Sequence, residues 1–420
     1  MAPPDACPPR AGVAEQGRAV AGAGNRALPM TESLLQIIRN GGSVMPNPFR
    51  KEALEPGAVL CNRVEELRRL KDAAESGENV LLHSPRRYGK TSLCRRLQYD
   101  LQDDGYACVS TDFFGVDSVE EIARRLARSV AMAIHSRQSL WDKGRRWLSA
   151  WKSFRIILSP KSDGSFDISV EKVRLSIDPR TLLDDMLQDL AEFVRGGHFP
   201  CHVVFDEFQE ITRLREAAVV EGLIRGAIQG LPCSFIFAGS RRGILKAMFQ
   251  DKTRPFFQSA TPMQLPSLPT AEAVAYLTDQ FGRGGREISP EAAELLIQKA
   301  SNHPYYIQHI ASDAYAVSES TVGVDEVDKA YALTVQACVP LFEATLTGLT
   351  PQQIGVLRAV ARHQPDEILG RQFSQSIGLQ PSSITYAKNK LVEEDLVEQR
   401  DGRWRVVDPV FEDWLQRDGG

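Results

Sequence analysis

The stretch that decides the fold reads HSPRRYGKTSL, from His83 to Leu93. The apolar run NVLLH at 79–83 precedes it, and helical periodicity follows over about 89–102. A loop leaving a buried strand and entering a helix presents backbone N–H groups and the positive end of a helix dipole, which together hold phosphate without side-chain charge. Ser84, Pro85, Arg86, Arg87, Tyr88, Gly89, Lys90, Thr91 and Ser92 are therefore the expected phosphate-binding residues. Lys90 is expected to reach the β- and γ-phosphates, and Thr91 to offer its hydroxyl to Mg2+, a hard ion that takes few protein oxygens. The pattern G-x-x-x-x-G-K-[ST] starts with glycine, and here Ser84 stands in that place. If the position requires a positive φ, serine strains the loop; if the backbone is extended there, Ser84 costs little and adds a hydroxyl.

A second element lies well downstream, where Val203, Val204 and Phe205 run into Asp206 and Glu207. Carboxylates at the end of an apolar strand are costly unless they face a metal, a ligand or a cation. Asp206 is expected in the magnesium shell. Glu207 is expected to orient and deprotonate the attacking water, since phosphoryl transfer asks the protein chiefly for positioning and charge stabilisation. A further apolar strand, 234–238, ends in Gly239 and Ser240, followed by Arg241 and Arg242. Ligands gather at the carboxyl ends of parallel strands, so Ser240 is expected to touch the γ-phosphate or the water, and Arg241 or Arg242 to compensate developing charge. Arg254 is a further candidate for a charge-sensing or intersubunit arginine.

Beyond these motifs, strand and helix patterns alternate from about residue 62, as a parallel sheet with covering helices requires, and four core strands are visible: 79–83, 106–111, 201–205 and 234–238. An insertion at about 140–178 interrupts them. Its first part interleaves Lys143, Arg145, Arg146 and Lys152 with Trp141, Trp147, Trp151 and Phe154, a mixture that suits either nucleic-acid stacking or an amphipathic helix with its aromatics packed inward. Its second part alternates at Phe166, Ile168, Val170 and again at Val173, Leu175, Ile177, which predicts a hairpin turning at Glu171 and Lys172. Helical patterns near 270–281, 290–300, 303–317 and 325–346 predict a small helical domain. Three helix-like runs at 351–362, 370–377 and 381–394, then strand-like runs at 396–399 and 403–407 joined by Asp401-Gly402, predict a winged helix.

Composition narrows the classes. At 420 residues the chain exceeds what one hydrophobic core organises. A formal net charge of −4 gives no global basic footprint of the kind a dedicated nucleic-acid binder carries. The seven cysteines are scattered, odd in number and without C-x-x-C spacing, which points to reduced thiols and a cytoplasmic protein without a zinc site. No apolar run reaches the length of a membrane helix, so no membrane association is expected.

Taken together, RRYGKTSL in the loop, VVFDEFQEI from Val203, AGSRRGILKAMF from Ala238 and SNHPYYIQ from Ser301 resemble the archaeal-type P-loop ATPases of the AAA+/STAND group, over about residues 46–420. The resemblance implies an α/β fold: a P-loop NTPase core with a parallel five-stranded sheet, a helical lid and a C-terminal winged-helix domain. The family's opening box, N/G-R-E-x-E-L after an apolar residue, is matched by Leu60, Asn62, Arg63, Glu65, Glu66 and Leu67, with Val64 in place of the first acid. It places Asn62 and Arg63 near an adenine, together with His303 and Pro304 of a lid motif that reports nucleotide state. The expected organisation is an N-terminal tail at 1–45, the ATPase core at 46–267, the lid at 268–346 and the winged helix at 347–420.

The expected ligands are ATP and Mg2+, and the leading expectation is an ATP-hydrolysing molecular switch whose lid and winged helix answer to nucleotide. One alternative is an ATP-dependent DNA-binding protein resembling origin-recognition ATPases, with the helix around Ser382–Lys390 in a major groove. Acids slightly outnumber bases from Thr350 onward, which sets a protein partner on the winged helix beside DNA. A second alternative is an ATP-binding scaffold without turnover. Homo-oligomer formation is compatible with the sequence and required by nothing in it.

Overall fold

The computed structural model describes residues 45–51, 57, 60–135, 151, 153–160, 166–173, 176–196 and 199–417. The chain divides between Met45 and Pro46, and every described element belongs to the unit Pro46–Gly420. The expected N-terminal tail, up to residue 44, lies outside the described residues, as does most of the basic and aromatic stretch before Trp151.

Helix α1 (Val64–Ser76) leads to β1 (Val80–His83), α2 (Lys90–Asp103), β2 (Ala107–Asp112) and α3 (Val119–His135). A hairpin of β3 (Phe154–Pro160) and β4 (Phe166–Lys172) precedes α4 (Pro179–Gly196) and β5 (Cys201–Asp206). A 3-10 turn (Phe208–Arg213), α5 (Ala217–Ile228), β6 (Cys233–Gly239), α6 (Arg242–Gln250) and β7 (Thr261–Gln264) complete this part. The main sheet has five parallel strands in the order β2-β5-β6-β1-β7. Alternate residues of each strand serve opposite faces. Leu81, Val203, Phe205, Phe235 and Phe237 bury against α3 and α4, whereas Val80, Leu82, Val204, Ile236 and Ala238 bury against α1 and α2. Burial on both faces is why these strands read as continuous apolar runs.

Two strands depart from the sequence expectation. Strand β7 reads Thr-Pro-Met-Gln, and only Met263 is buried, so nothing in its own composition marks a strand. It owes its place to pairing with β1, Leu82 opposite Met263. The inserted hairpin is shifted: Phe166–Lys172 is its second strand, and its partner is Phe154–Pro160, not the run 173–177. The alternation at 173–177 imitated a strand, but Phe154, Ile168 and Val170 bury with Trp151 against α3, and that apolar anchor selects the register. Within the described part of the stretch, the aromatics Trp151 and Phe154 point inward, on a strand and its approach in place of a helix.

The C-terminal half is helical: α7 (Thr270–Arg283), α8 (Pro290–Lys299), α9 (Pro304–Val317) and α10 (Val324–Thr347), with a two-residue pairing of β8 (Glu287–Ile288) and β9 (Thr321–Val322). The winged helix comes next as α11 (Pro351–His363), α12 (Arg371–Ile377), α13 (Pro381–Glu393), the hairpin β10 (Val397–Arg400) and β11 (Arg403–Val406), and a last helix α14 (Pro409–Arg417). One apolar core runs through both groups, from Phe281 and Tyr306 to Leu391 and Phe411. Phe342 of α10 stacks on Phe411 of α14 with 4.7 Å between ring centroids. Tyr306 and Tyr331 donate to Asp408 and Asp413 at 2.6 and 2.7 Å. Among the described residues no helix is long and apolar enough to cross a membrane.

Candidate nucleotide site

The loop between β1 and α2 stands at the carboxyl end of the sheet, beside the ends of β5 and β6. Its left-handed residues are Arg87 (φ +63°) and Gly89 (φ +88°), and Ser84 is not among them. Serine therefore imposes no backbone strain at the first loop position. The Ser84 side chain is fully buried, and its Oγ accepts from Lys90 Nζ at 3.2 Å. Lys90 Nζ also donates to the Ser84 and Pro85 carbonyls, each at 3.1 Å. Glycine at 89 supplies the left-handed cap from which α2 starts, so the amino end of the helix opens onto the loop.

Thr91 Oγ1 donates to Asp206 Oδ2 at 2.6 Å, which brings two hard oxygens together beside the Lys90 ammonium. Burial pushes Asp206 above the ordinary carboxylate range, opposed by the Thr91 hydrogen bond and by Lys90. Burial pushes Lys90 down, opposed by Glu207 and Asp206. No cluster of three or more His, Cys, Asp or Glu that could hold a metal occurs among the described residues. A hydroxyl and one carboxylate suit Mg2+, which keeps most of its shell for phosphate oxygens and water. Glu207 is next in the chain, with φ +48°; its N–H donates to Asp206 Oδ1 at 3.0 Å. Ser240 Oγ donates to Glu207 Oε2 at 2.9 Å, so the ends of β5 and β6 meet through these side chains.

A cavity of about 440 Å3, within the range usual for small-molecule sites, is lined by Lys90, Thr91 and Glu207 together with the apolar Leu60, Leu268 and Ile307. Arg63, Arg87, Tyr88, Gly89, Ser92 and Pro304, all singled out from sequence, also line it. Arg63 is buried and held by Glu66 Oε1 and the Pro266 carbonyl, both at 2.9 Å. Asn62 (φ +34°) turns the chain toward α1, and Arg86 is exposed. Two further lining residues were not singled out: Tyr276, and Gln308, whose Nε2 donates to Tyr276 Oη at 2.7 Å. Gln308 Oε1 is buried with no partner.

The helical region reaches the loop through aromatic contacts. Tyr88 meets His303 edge-on at 4.6 Å between ring centroids, and the Arg87 guanidinium lies 4.2 Å over the Tyr305 ring. Burial, with Arg87 and Arg400 adding to it, pushes His303 down to about 3, so it is neutral. The winged helix comes to the same residue, because the Arg400 guanidinium of β10, which pairs with Glu398, lies beside the Tyr88 side chain.

The three arginines weighed as charge compensators go elsewhere. Arg241 pairs with Glu394 at 3.1 Å, Arg242 pairs with Asp395 at 2.8 Å and with Glu398, and Arg254 pairs with Glu221, whose side chain is buried. None of the three lines the cavity among the described residues. Their destinations lie on other segments, which no local pattern announces. Arg400 and Gln209, which touch Tyr88 and Glu207, were likewise not singled out; Gln209 stood within VVFDEFQEI without a pattern to mark it.

Residues 340–417 match a family described as a probable winged helix domain. No curated protein matches the chain. Among solved structures it is similar to the Walker-type ATPase PABY2304 of Pyrococcus abyssi, at 19% identity over 85% of this chain and 96% of that one, with a TM-score of 0.63. It is also similar to the Aeropyrum pernix ORC2 protein in its ADPNP-ADP complexes, at 16% identity over 87% of this chain and 94% of that one, with a TM-score of 0.56. At these identities the likeness is one of fold: a P-loop ATPase fold with a helical region and a winged helix.

Proposed function

We propose that this chain, built on the fold of Walker-type ATPases, is an ATP-binding and ATP-hydrolysing switch. The observation that carries the reading is the position of Tyr88: this phosphate-loop residue contacts His303 of the lid and Arg400 of the winged helix at once. A loop that grips phosphate through its backbone shifts its side chains when the grip changes, and here the helical and winged-helix segments that carry the two neighbours share one continuous apolar core. Lid and winged helix would then answer as one body.

In this reading Lys90 exchanges its loop carbonyls for the β- and γ-phosphate oxygens, and Arg63 with the apolar lining of the cavity holds the remainder of the nucleotide. Mg2+, when bound at Thr91 and Asp206, supplies charge neutralisation at the phosphates. Glu207 takes the proton of the attacking water, and Ser240 holds its carboxylate. The proposed compartment is the cytoplasm, in keeping with Cys61, Cys94, Cys108, Cys201, Cys233 and Cys338 standing outside any disulfide.

For the winged helix we favour a protein partner over DNA. On α13, Lys388 lies over the Trp404 ring and Lys390 pairs with Glu393 and Glu394, while Thr385, Tyr386 and Asn389 are exposed. A helix that reads DNA needs cations free for phosphates and base edges.

The test is magnesium-dependent phosphate release by the native chain, Lys90→Ala and Glu207→Gln, with and without duplex DNA, beside limited proteolysis with and without ATP. Turnover lost in both variants and a nucleotide-dependent cleavage pattern are expected. ATP binding without turnover in any sample would make the chain a scaffold, and strong stimulation by DNA would favour the DNA reading.

A further inference from the structure

Glu207 occupies a backbone region that a non-glycine residue adopts only when its surroundings hold it there. Part of the hold is local: its N–H donates to Asp206 Oδ1, and its carbonyl accepts from Glu210 N at 2.9 Å. The rest acts on the side chain. Gln209 Nε2 donates to Glu207 Oε2 at 2.5 Å, and Ser240 Oγ donates to the same oxygen at 2.9 Å.

Gln209 reaches that oxygen through a slot. It sits on the 3-10 turn after β5, whose Phe208 and Ile211 are buried in the core, and it is itself only 2% exposed. The facing residue is Gly239, and a Cβ placed there would stand 1.9 Å from Gln209 Oε1 and 3.0 Å from its Cδ. The absence of a side chain at 239 is therefore what lets the amide lie across the end of β6. Gln209 Oε1 is buried without a partner, which is costly for an amide serving only to fill space. An apolar side chain of the same shape would fill it without that cost. The amide orientation follows from its neighbour, since only the NH2 end can face a carboxylate oxygen.

We infer that Gln209 is a positioning residue for Glu207, an inference that rests on the ATPase reading above. Gln209 and Ser240 together occupy Oε2 and fix the carboxylate plane, so Oε1 is the oxygen that receives the proton of water. A general base works only within hydrogen-bond reach of that proton, and a displacement of about 1 Å costs on the order of a hundredfold in rate.

The test uses the full chain and steady-state ATP hydrolysis with Mg2+. Gln209→Met keeps the shape and removes the donor; Gln209→Glu keeps the shape and replaces the donor with an acceptor. Both variants are expected to lower kcat by about tenfold to a hundredfold, with KM for ATP within about threefold of native. A Gln209→Met variant that retains native kcat, while Glu207→Gln abolishes turnover, overturns the role of Gln209 and leaves the ATPase reading standing. A raised KM at native kcat overturns it too, because the residue would then serve binding. Native chain without turnover, matching Glu207→Gln, overturns both. Should Gln209→Met lower the melting temperature, Gln209→Glu decides by the same split between kcat and KM.

Discussion

Arg242 at the start of α6 and Asp395 beyond the end of α13 are joined by two hydrogen bonds, Nη2 to Oδ1 at 2.8 Å and Nε to Oδ1 at 3.1 Å. Asp395 is held in the left-handed region (φ +55°), and Glu398 meets the same guanidinium. With Arg241 and Glu394 alongside, the part of the chain that carries the five-stranded sheet and the winged helix are tied by charge. Both side chains of the Arg242–Asp395 pair are largely removed from solvent, so breaking it strands a charge. Arg242→Met is expected to destabilise the chain by about 3 kcal/mol, measured by urea denaturation, and to open a protease-sensitive site between core and winged helix. Unchanged denaturation and cleavage would mean that the pair holds nothing.

The backbone at Ser84 makes a prediction about the altered loop. Since Ser84 carries no positive φ and its hydroxyl accepts from Lys90, restoring glycine removes a hydrogen bond and adds freedom to the unfolded chain. Ser84→Gly is expected to lose about 1 kcal/mol of stability without gaining turnover. A phosphate-release assay and a thermal melt on the one variant check both parts.

Thr91 and Asp206 share their short hydrogen bond where magnesium is proposed to sit. Thr91→Ala deletes one of the two oxygens and leaves Asp206 without its hydroxyl partner. The magnesium concentration giving half-maximal turnover is expected to rise by about tenfold or more, on the order seen when metal-site partners are removed. Titrating Mg2+ at saturating ATP measures it.

His303 sets a pH dependence with a definite sign. Its folded value of about 3 lies below the ordinary 6.5, so between those limits the unfolded chain binds a proton that the folded chain refuses. Its contribution is full above about pH 6.5 and is lost as pH falls, at a slope approaching about 1.4 kcal/mol per pH unit. Asp206, Asp395 and Asp408, raised by burial, act in the opposite direction. Those carboxylates are common to the native chain and His303→Phe, so comparison isolates the imidazole. Between about pH 6.5 and 5 the native chain is expected to lose stability more steeply than the variant in urea titrations.

Gln308, which lines the cavity, offers a buried carbonyl oxygen without a partner. Such an acceptor suits the exocyclic amine of adenine, whereas guanine would set its O6 against it. Gln308→Leu is expected to narrow the preference for ATP over GTP by about tenfold, the worth of one hydrogen bond. Competition binding with the two nucleotides decides it.

Elements whose physics is local were legible in the order of residues alone. Gly89-Lys90-Thr91 between an apolar strand and a helix, the acids after Val203-Val204-Phe205, and the helical periods after Thr270 are each written within a few residues, and the structure places them at α2, β5 and α7 to α13. Features that depend on distant partners had to wait for the folded chain. Strand β7 contributes a single buried side chain and exists as a strand because β1 supplies its hydrogen bonds. The hairpin's register was chosen by burial against α3. Arg241 and Arg242 sit where a phosphate-facing cation was expected, yet each finds a carboxylate 153 residues away. Long charged side chains take the nearest opposite charge that folding brings to them, and which charge that is depends on the packing of the shared helical and winged-helix core.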